Sequence, residues 1–282
     1  MTRGRGRRSG VYRRRMAPPD GADPDDASGA KRSRLGRVGD SVESVAERGT
    51  HLARSIEQTA HEDVLLPAWR RVTEGEPRWP VALGVLAAIG MQLALPPRVT
   101  FQHQWVLPTV ELVMLAVLIL AKPGRLSLDD SHRRVLSTAL VVTISVANAI
   151  SAARLVGRLL NGTEENAGPL LLIGGAIWLT NVIAFSLWYW ELDRGGPVAR
   201  AAGTRPYPDF LFPQMASPEL APPHWEPGYA DYLYLSFTNA TAFSPTDVLP
   251  LTRWAKLLML VQSAISLATV ALVIARAVNI LK

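Results

Sequence analysis

Apolar residues after residue 78 are concentrated in about five long segments that polar stretches separate. These segments cover approximately 79–95, 104–121, 135–156, 169–190 and 252–281. A helix needs about 20 predominantly apolar residues to cross a bilayer, where only helices and closed barrels satisfy their backbone polar groups. The pattern therefore predicts an all-α, multi-pass transmembrane helical bundle of about five spans. The first two segments and their connection are short, so we expect them to form a tight antiparallel hairpin.

A shorter amphipathic stretch lies directly before the last apolar segment. Residues 231–252 are rich in aromatic and hydroxyl side chains and contain the turn Ser244-Pro245-Thr246-Asp247. The part before the turn is too short to span a bilayer, and a spanning helix follows it at once. We therefore predict a re-entrant, pore-like hairpin before the last helix. Its irregular backbone has to be buried by protein or to line a water-filled cavity.

The N-terminal part of the chain is polar and basic. Residues 1–40 are rich in Arg, Gly, Pro, Ser and Asp, a composition that predicts a disordered basic tail, with translation starting at Met1 or at Met16. Residues 41–78 are predicted to form an amphipathic surface helix, reaching Val72, and a juxtamembrane segment. The other predicted regions are a four-helix transmembrane region at 79–190, a Pro/Gly-rich loop at 191–230, and the hairpin with the last helix at 231–282.

The composition argues against most enzyme classes. The chain has no cysteine, which excludes disulfides, thiolate metal sites and cysteine nucleophiles. Its five histidines are dispersed without metal-ligand spacing, and we find no nucleophile–base pair, phosphate loop or paired carboxylates. We therefore expect no catalytic residues, no metal site and no cofactor.

Positive charges predict the orientation. Twelve Lys and Arg residues flank the segments on the side of the N-terminus and the long loop, against three on the other side, Arg98, Arg158 and Lys282. Cytoplasmic loops carry the excess of Lys and Arg, so the N-terminus is predicted to be cytoplasmic and the C-terminus external. The long loop between the fourth and fifth segments is then cytoplasmic, with Phe210, Leu211, Phe212 and Trp225 expected as anchors at the membrane interface.

Leu233 to Thr252 resembles the pore helix, filter and inner-helix start of the two-transmembrane potassium-channel module. Thr241 matches the threonine before the filter, and Asp247 matches the acid after it. The filter differs, because Ala242-Phe243-Ser244-Pro245-Thr246 stands where that family has Thr-Val-Gly-Tyr-Gly, whose glycines permit positive φ. The resemblance implies a degenerate hairpin with little potassium selectivity, although such a hairpin opens to the outside and the charges place this one inside. Any pore would be lined by Asn239, Thr241, Ser244, Pro245, Thr246 and Asp247.

After Trp188 the chain has a distinct order of features. They are an aromatic-rich helix end, a Pro/Gly loop, the motif Asp231-Tyr-Leu-Tyr-Leu-Ser-Phe-Thr238, a turn ending in Asp247, and a last helix. In this order the chain resembles an uncharacterised bacterial membrane family, domain of unknown function 1345. The likeness covers roughly residues 79–282 and is strongest after Trp188. The family has no established activity. The resemblance implies a location in the bacterial inner (plasma) membrane.

A few polar residues within the apolar segments are candidates for function. Glu111 is the acidic residue inside a predicted span, where a carboxylate is costly unless it is paired, protonated or hydrated. Arg154 is expected at a similar depth, so Glu111 is interpreted either as a proton or cation site or as a structural ion pair with Arg154. Asn148 is predicted to form hydrogen bonds across the bundle, with Thr180, Asn181, Gln262 and Ser263 as candidate partners. The alternative interpretation of these residues is a substrate path.

Two functions of different classes follow from the sequence. The first is a weakly selective cation channel or a transporter-like path with a degenerate ion-channel-like hairpin. The alternative is a non-conducting membrane scaffold that recruits partners through its basic tail and surface helix. The expected partners are the lipid bilayer, a cation and further copies of the chain in a homo-oligomer. The Arg-rich tail leaves weak contact with RNA or anionic lipid open.

Overall fold

The computed structural model describes residues 67–100, 103–120, 130–163, 166–241 and 247–281, and within them the chain is predominantly helical. The predicted tail, most of the surface helix and the turn 242–246 lie outside the described residues. The helices are α1 (Trp79–Ala94), α2 (Val106–Leu120), α3 (Asp130–Leu160), α4 (Ala167–Leu192), α5 (Pro197–Ala201), α6 (Pro213–Ala216), α7 (Tyr229–Thr241) and α8 (Arg253–Leu281). Two short strands are also present, β1 (Phe210–Leu211) and β2 (Leu249–Pro250). The helical fold class is confirmed.

Three helices are long and apolar enough to cross a membrane. They cover Ser131–Leu160, Ala167–Gly195 and Arg253–Leu281. α1 and α2 are also apolar but contain only 16 and 15 residues. At 1.5 Å per residue they reach about 22–24 Å, less than the roughly 30 Å of a bilayer core. The structure therefore supports three spanning helices and two shorter apolar ones.

α3 is longer at both ends than the predicted third segment, which was placed at 135–156. No proline interrupts its polar first turns, and the helix continues to a defined stop at Gly162. There the amide of Thr163 donates to the carbonyl oxygen of Arg158 at 3.2 Å, and Gly162 adopts a φ of 68°. This pair of features is the glycine-terminated helix end that other residues adopt only with strain. The α3 boundary therefore follows backbone geometry rather than hydrophobicity.

α4 is the central helix of the bundle and contacts α1, α3, α7 and α8. Its sequence is apolar on every face, as expected of a helix that is surrounded by others. One close crossing depends on a glycine, because a Cβ atom at Gly174 would lie 2.7 Å from Cγ2 of Val273 on α8. Val273 at this crossing belongs with the buried Ile177 and Leu170 to a second hydrophobic cluster. It is separate from the larger cluster around Tyr189 and Tyr232.

α7 and α8 run in the same direction. The Nε2 atom of Gln262 donates to the Ser236 carbonyl oxygen, and one turn further on Ser266 Oγ donates to the Ala240 carbonyl oxygen. After α7 the chain returns to β2, which pairs antiparallel with β1, with Phe210 opposite Pro250. The start of α8 is therefore held beside the long loop, and α7 packs against both α4 and α8.

The loop between α4 and α7 is packed more closely than the sequence predicts. Phe210 is 0% exposed, and its ring lies 5.1 Å from that of Tyr189. Phe212 is also buried, 5.4 Å from the ring of Tyr232. The prediction that these two side chains anchor the loop at a lipid interface is therefore wrong, since edge-to-face contacts with the helices take them into the protein core.

Two local helix predictions are also wrong. The predicted surface helix does not reach Val72, because only a single 3-10 turn, Ala68–Arg70, is present in the described part. Its Trp69 is buried, with the guanidinium of Arg194 5.3 Å from the ring centroid, and Arg194 Nη1 donates to the Trp69 carbonyl oxygen. The position of Thr252 at the start of the last apolar segment predicts that it caps α8, since threonine is a preferred N-cap residue; its hydroxyl, however, has no hydrogen-bond partner among the described residues.

Candidate functional site

Glu111 on α2 is completely buried, at 0% exposure. Its hydrogen bonds come from Nε2 of Gln92 on α1, which lies 3.0 Å from Oε2 and 3.2 Å from Oε1. Gln92 is the one polar residue in the sequence of α1. The two shortest apolar helices are therefore joined through a carboxylate and an amide. A single neutral donor is poor compensation for an ionised carboxylate, which can accept about four hydrogen bonds.

The predicted ion pair between Glu111 and Arg154 is wrong. Arg154 Nη1 donates to the backbone carbonyl oxygen of Thr100, which follows α1. The Arg154 side chain is exposed, whereas Glu111 lies inside the bundle. Among the described residues no salt bridge to Glu111 is found. An exposed guanidinium keeps its solvation, which a move towards the buried carboxylate would forfeit.

A small cavity lies beside Gln92, at the junction of α1, α2 and α3. Its volume is about 20 Å³, enough for one water molecule or one small ion. The residues that line it are Gln92, Thr100, His103, Gln104, Leu107, Pro108, Ala147 and Ser151. We call Glu111 and these lining residues the Glu111 pocket. Thr100 Oγ1 and Gln104 Oε1 have no hydrogen-bond partner in the described part of the chain.

Asn148 and Asn181 are buried, but they do not form the predicted hydrogen bonds. Asn148 Oδ1 and Asn181 Nδ2 have no partner among the residues that the structure describes. Thr180 donates to the Ala176 carbonyl oxygen of its own helix at 2.8 Å. Gln262 and Ser263 are bonded to α7 instead. The prediction failed because α7 packs against both α4 and α8 and supplies partners for Gln262 and Ser263.

The α7–α8 network consists of Tyr189, Ser236, Asn239, Gln262 and Ser263. Gln262 Nε2 donates to Ser236 Oγ at 2.6 Å, while its Oε1 accepts from Asn239 Nδ2 at 2.8 Å and from the Tyr189 hydroxyl. Asn239 Nδ2 also donates to the Met259 carbonyl oxygen, and Ser263 Oγ donates to Asn239 Oδ1. Each polar side chain has a partner, so this network joins α4, α7 and α8.

Of the predicted pore residues, the structure describes Asn239, Thr241 and Asp247, and these three have separate hydrogen-bond partners. Asn239 belongs to the α7–α8 network. Thr241 Oγ1 donates to the Phe237 carbonyl oxygen of its own helix at 2.9 Å. Asp247 is exposed and accepts a long, 3.4 Å hydrogen bond from the Tyr234 hydroxyl. Ser244, Pro245 and Thr246 lie outside the described residues.

A third polar region, the loop-end cluster, contains Glu76, Asp193, Arg194, Arg200 and Asp209. Arg200 is buried; its Nη2 lies 2.7 Å from Glu76 Oε1, and its Nη1 donates to the Trp190 carbonyl oxygen at 2.6 Å. Burial acts to lower the pKa of the Arg200 guanidinium, but Tyr232, Glu76 and Asp193 outweigh it and raise that pKa. The guanidinium therefore stays charged, and the salt bridge fixes the segment before α1 to α5.

The carboxylates of the loop-end cluster hold α4, the loop and α8 together. Asp193 accepts from the Asp209 amide at 2.9 Å and from the Tyr232 hydroxyl at 2.6 Å. Asp209 accepts from the Arg194 amide at 2.8 Å and from Trp254 Nε1 at 2.9 Å. Arg194 adopts a φ of 52°, a conformation that few non-glycine residues take. These contacts are mutual, so the cluster is structural.

No protein-family model matches the chain, and no curated protein or solved structure matches it. The resemblances to the uncharacterised bacterial family and to the potassium-channel module stay predictions.

Sequence reasoning missed most of the Glu111 pocket. Gln92 could have been found, because a lone amide in a 16-residue apolar helix needs a polar partner. Thr100 and Gln104 gave no comparable signal, since they lie in a connection where polar residues are ordinary. Their importance follows only from burial without hydrogen-bond partners.

Proposed function

We propose that this chain is an integral membrane protein that moves a small cation through its own helix bundle along a transporter-like path. The observation that carries the proposal is the complete burial of Glu111 on an apolar helix, bonded to one neutral amide. Acidic residues within membrane segments are costly and typically mark ion pathways or proton relays. In this proposal Glu111 supplies the negative charge that attracts the cation, or takes up the proton.

Polar positions on one face of α3 support a route away from the Glu111 pocket. Asn148, Ser145 and Ser137 follow helical spacing along α3. Ser145 Oγ accepts from Trp188 Nε1 at 2.9 Å, and Ser137 Oγ donates to Glu191 at 2.6 Å. Closely packed apolar residues, including Ile144, lie between these positions. A route that is closed by packing fits a transporter-like cycle better than a continuously open channel.

In the same proposal the α7–α8 hairpin is re-entrant and has a structural role. α7 runs parallel to α8, and the chain returns to the loop side before α8 begins. Both polar atoms of the Asn239 side chain have protein partners in this network. The N-terminus is proposed to be cytoplasmic, in a bacterial plasma membrane, as the charge asymmetry favours.

Ion flux into liposomes tests the proposal. Purified protein is reconstituted, and uptake is measured for protons, Na⁺ and K⁺ with the wild type and with Glu111→Gln. We expect flux of at least one cation, which Glu111→Gln abolishes. Glu219→Gln makes the same chemical change at an exposed loop position and should leave flux unaltered. Flux that survives in Glu111→Gln, or no flux of any cation, would overturn the proposal.

The second candidate is a non-conducting scaffold. The satisfied α7–α8 network and the loop-end cluster favour it, since both stabilise one packed arrangement of the helices. Recruitment would then use residues 1–78, most of which lie outside the described part. The liposome experiment separates the two candidates, because a scaffold gives no flux with the wild type or with Glu111→Gln.

A further inference from the structure

We propose that the cavity of the Glu111 pocket binds a single desolvated monovalent cation, with Na⁺ as the fitting ion. The ligands are neutral side-chain oxygens of Thr100, Gln104 and Gln92, and the nearby carboxylate of Glu111 supplies negative charge. This inference rests on the proposed function and names the substrate class of the same site.

Oxygen atoms without partners are the first observation. Thr100 is only 7% exposed, yet its Oγ1 has no hydrogen-bond partner in the described part of the chain, and neither has Gln104 Oε1. Both residues line the cavity. Buried polar atoms are nearly always hydrogen-bonded in proteins, so an exception needs an explanation. A bound cation satisfies both oxygen atoms at once.

The orientation of Gln92 is the second observation. Its Nε2 donates to both oxygens of Glu111, which assigns the nitrogen to the carboxylate side of the amide. The Oε1 atom therefore lies on the other side of the amide from the carboxylate, and the Gln92 side chain lines the cavity. Through this amide, Glu111 orients a third neutral oxygen for a cation and stabilises the charge without contacting it directly.

Charge and size restrict the ion. Glu111 contributes one negative charge, and the guanidinium of Arg154 at the neighbouring Thr100 carbonyl weakens the negative potential of the pocket, which disfavours an ion of higher charge. Divalent metals such as Ca²⁺ prefer several carboxylate ligands, which this pocket lacks among the described residues. A volume of about 20 Å³ excludes organic cations such as choline. A small monovalent ion meets both restrictions.

The test is equilibrium binding of ²²Na⁺ to the purified full-length chain in detergent, with Na⁺-dependent thermal stabilisation as a second readout. Thr100→Val keeps the side-chain shape and removes the hydroxyl oxygen, so Na⁺ affinity should fall roughly tenfold, as expected for one lost contact to a charge. Thr143→Val is the matched control, because the Thr143 hydroxyl bonds to its own helix at Ala139. Its Na⁺ affinity should equal that of the wild type.

Equal melting temperatures in Na⁺ and choline together with no ²²Na⁺ binding would overturn the inference and assign the cavity to a bound water only. Unchanged binding in Thr100→Val would overturn the site. The binding and flux measurements test the two proposals separately. Na⁺ binding without flux would support the site and reject the proposed transport function. Proton flux that depends on Glu111 without Na⁺ binding keeps the function and rejects this inference.

Discussion

The α7–α8 network and the Glu111 pocket are both polar regions inside apolar helices. The polar groups of the network have hydrogen-bond partners, whereas those of the pocket have too few. In the network, Gln262 alone engages Ser236, Asn239 and Tyr189. In the pocket, Glu111 has only Gln92, and Thr100 has an oxygen without a partner among the described residues. In these two regions, the polar residues that satisfy each other join helices, whereas those left short of partners line a cavity.

The ends of the bundle show the same contrast. In the loop-end cluster, Arg200 forms a salt bridge with Glu76, and Asp193 accepts a hydrogen bond from the Tyr232 hydroxyl. The Glu111 pocket lies at the opposite end of α1, next to the α1–α2 connection. We therefore expect substitutions in the network to change stability, and substitutions in the pocket to change ion movement.

The largest expected effect is an all-or-none difference in labelling across the membrane. The chain has no cysteine, so single substitutions report their side without further changes. Tyr207→Cys and Leu281→Cys use positions that are 81% and 75% exposed. A membrane-impermeant maleimide applied to intact cells should label Leu281→Cys and leave Tyr207→Cys unlabelled, because positive charges keep the loop cytoplasmic.

Permeabilised cells provide the control, since both variants should then react. The reverse pattern on intact cells would invert the topology and open the hairpin to the outside, as in the potassium-channel module. Labelling of both variants from outside would contradict an odd number of spans between the two positions.

Gln262→Leu should cause the next largest change. The substitution removes the shared partner of Ser236, Asn239 and the Tyr189 hydroxyl, and each hydrogen bond lost costs about 0.5–1.5 kcal/mol, more where a buried group is left unpaired. We expect the free energy of unfolding in detergent to fall by several kcal/mol, measured by denaturant titration. Gln214→Leu, in the short helix α6, is the matched control and should change little. A stability within error of the wild type would show that the network does not hold the helices.

Glu111→Gln should have a much smaller effect on stability. The amide oxygen at position 111 can still accept from Gln92, and a buried charge is removed, so we expect a change within about 1 kcal/mol. The double-mutant cycle with Arg154→Met should be additive within about 0.5 kcal/mol, because the two side chains have separate partners. A coupling of several kcal/mol in the unfolding cycle would restore the ion pair that the sequence suggested.

Much of the helical architecture could be predicted from the sequence. Long apolar runs have few alternatives in a chain of this composition, so the five apolar helices appear within a few residues of their predicted positions. Glu111 could be singled out for the same reason, since a carboxylate in an apolar run is costly anywhere.

The partners of these residues could not be predicted, because hydropathy carries no information about which helices are neighbours. On straight helices Arg154 would lie at the same depth as Glu111. Its guanidinium instead donates to the backbone carbonyl oxygen of Thr100 at the surface. Asn148 was expected to bond to Gln262, but Gln262 bonds to Ser236 and Asn239 of α7 instead. Phe210 and Phe212 were expected at the membrane interface but lie in the core. The sequence does not distinguish the two locations, because aromatic residues serve equally well in a protein core.

The most direct test compares cation flux through Glu111→Gln and Asp247→Asn in parallel liposome preparations of equal protein content. Both changes replace one carboxylate by an amide, one in the Glu111 pocket and the other beside the hairpin turn. We predict that Glu111→Gln abolishes flux while Asp247→Asn retains the wild-type rate, because Asp247 is exposed and makes only a 3.4 Å contact. Loss of flux in Asp247→Asn with normal flux in Glu111→Gln would contradict this account and place the pathway in the hairpin.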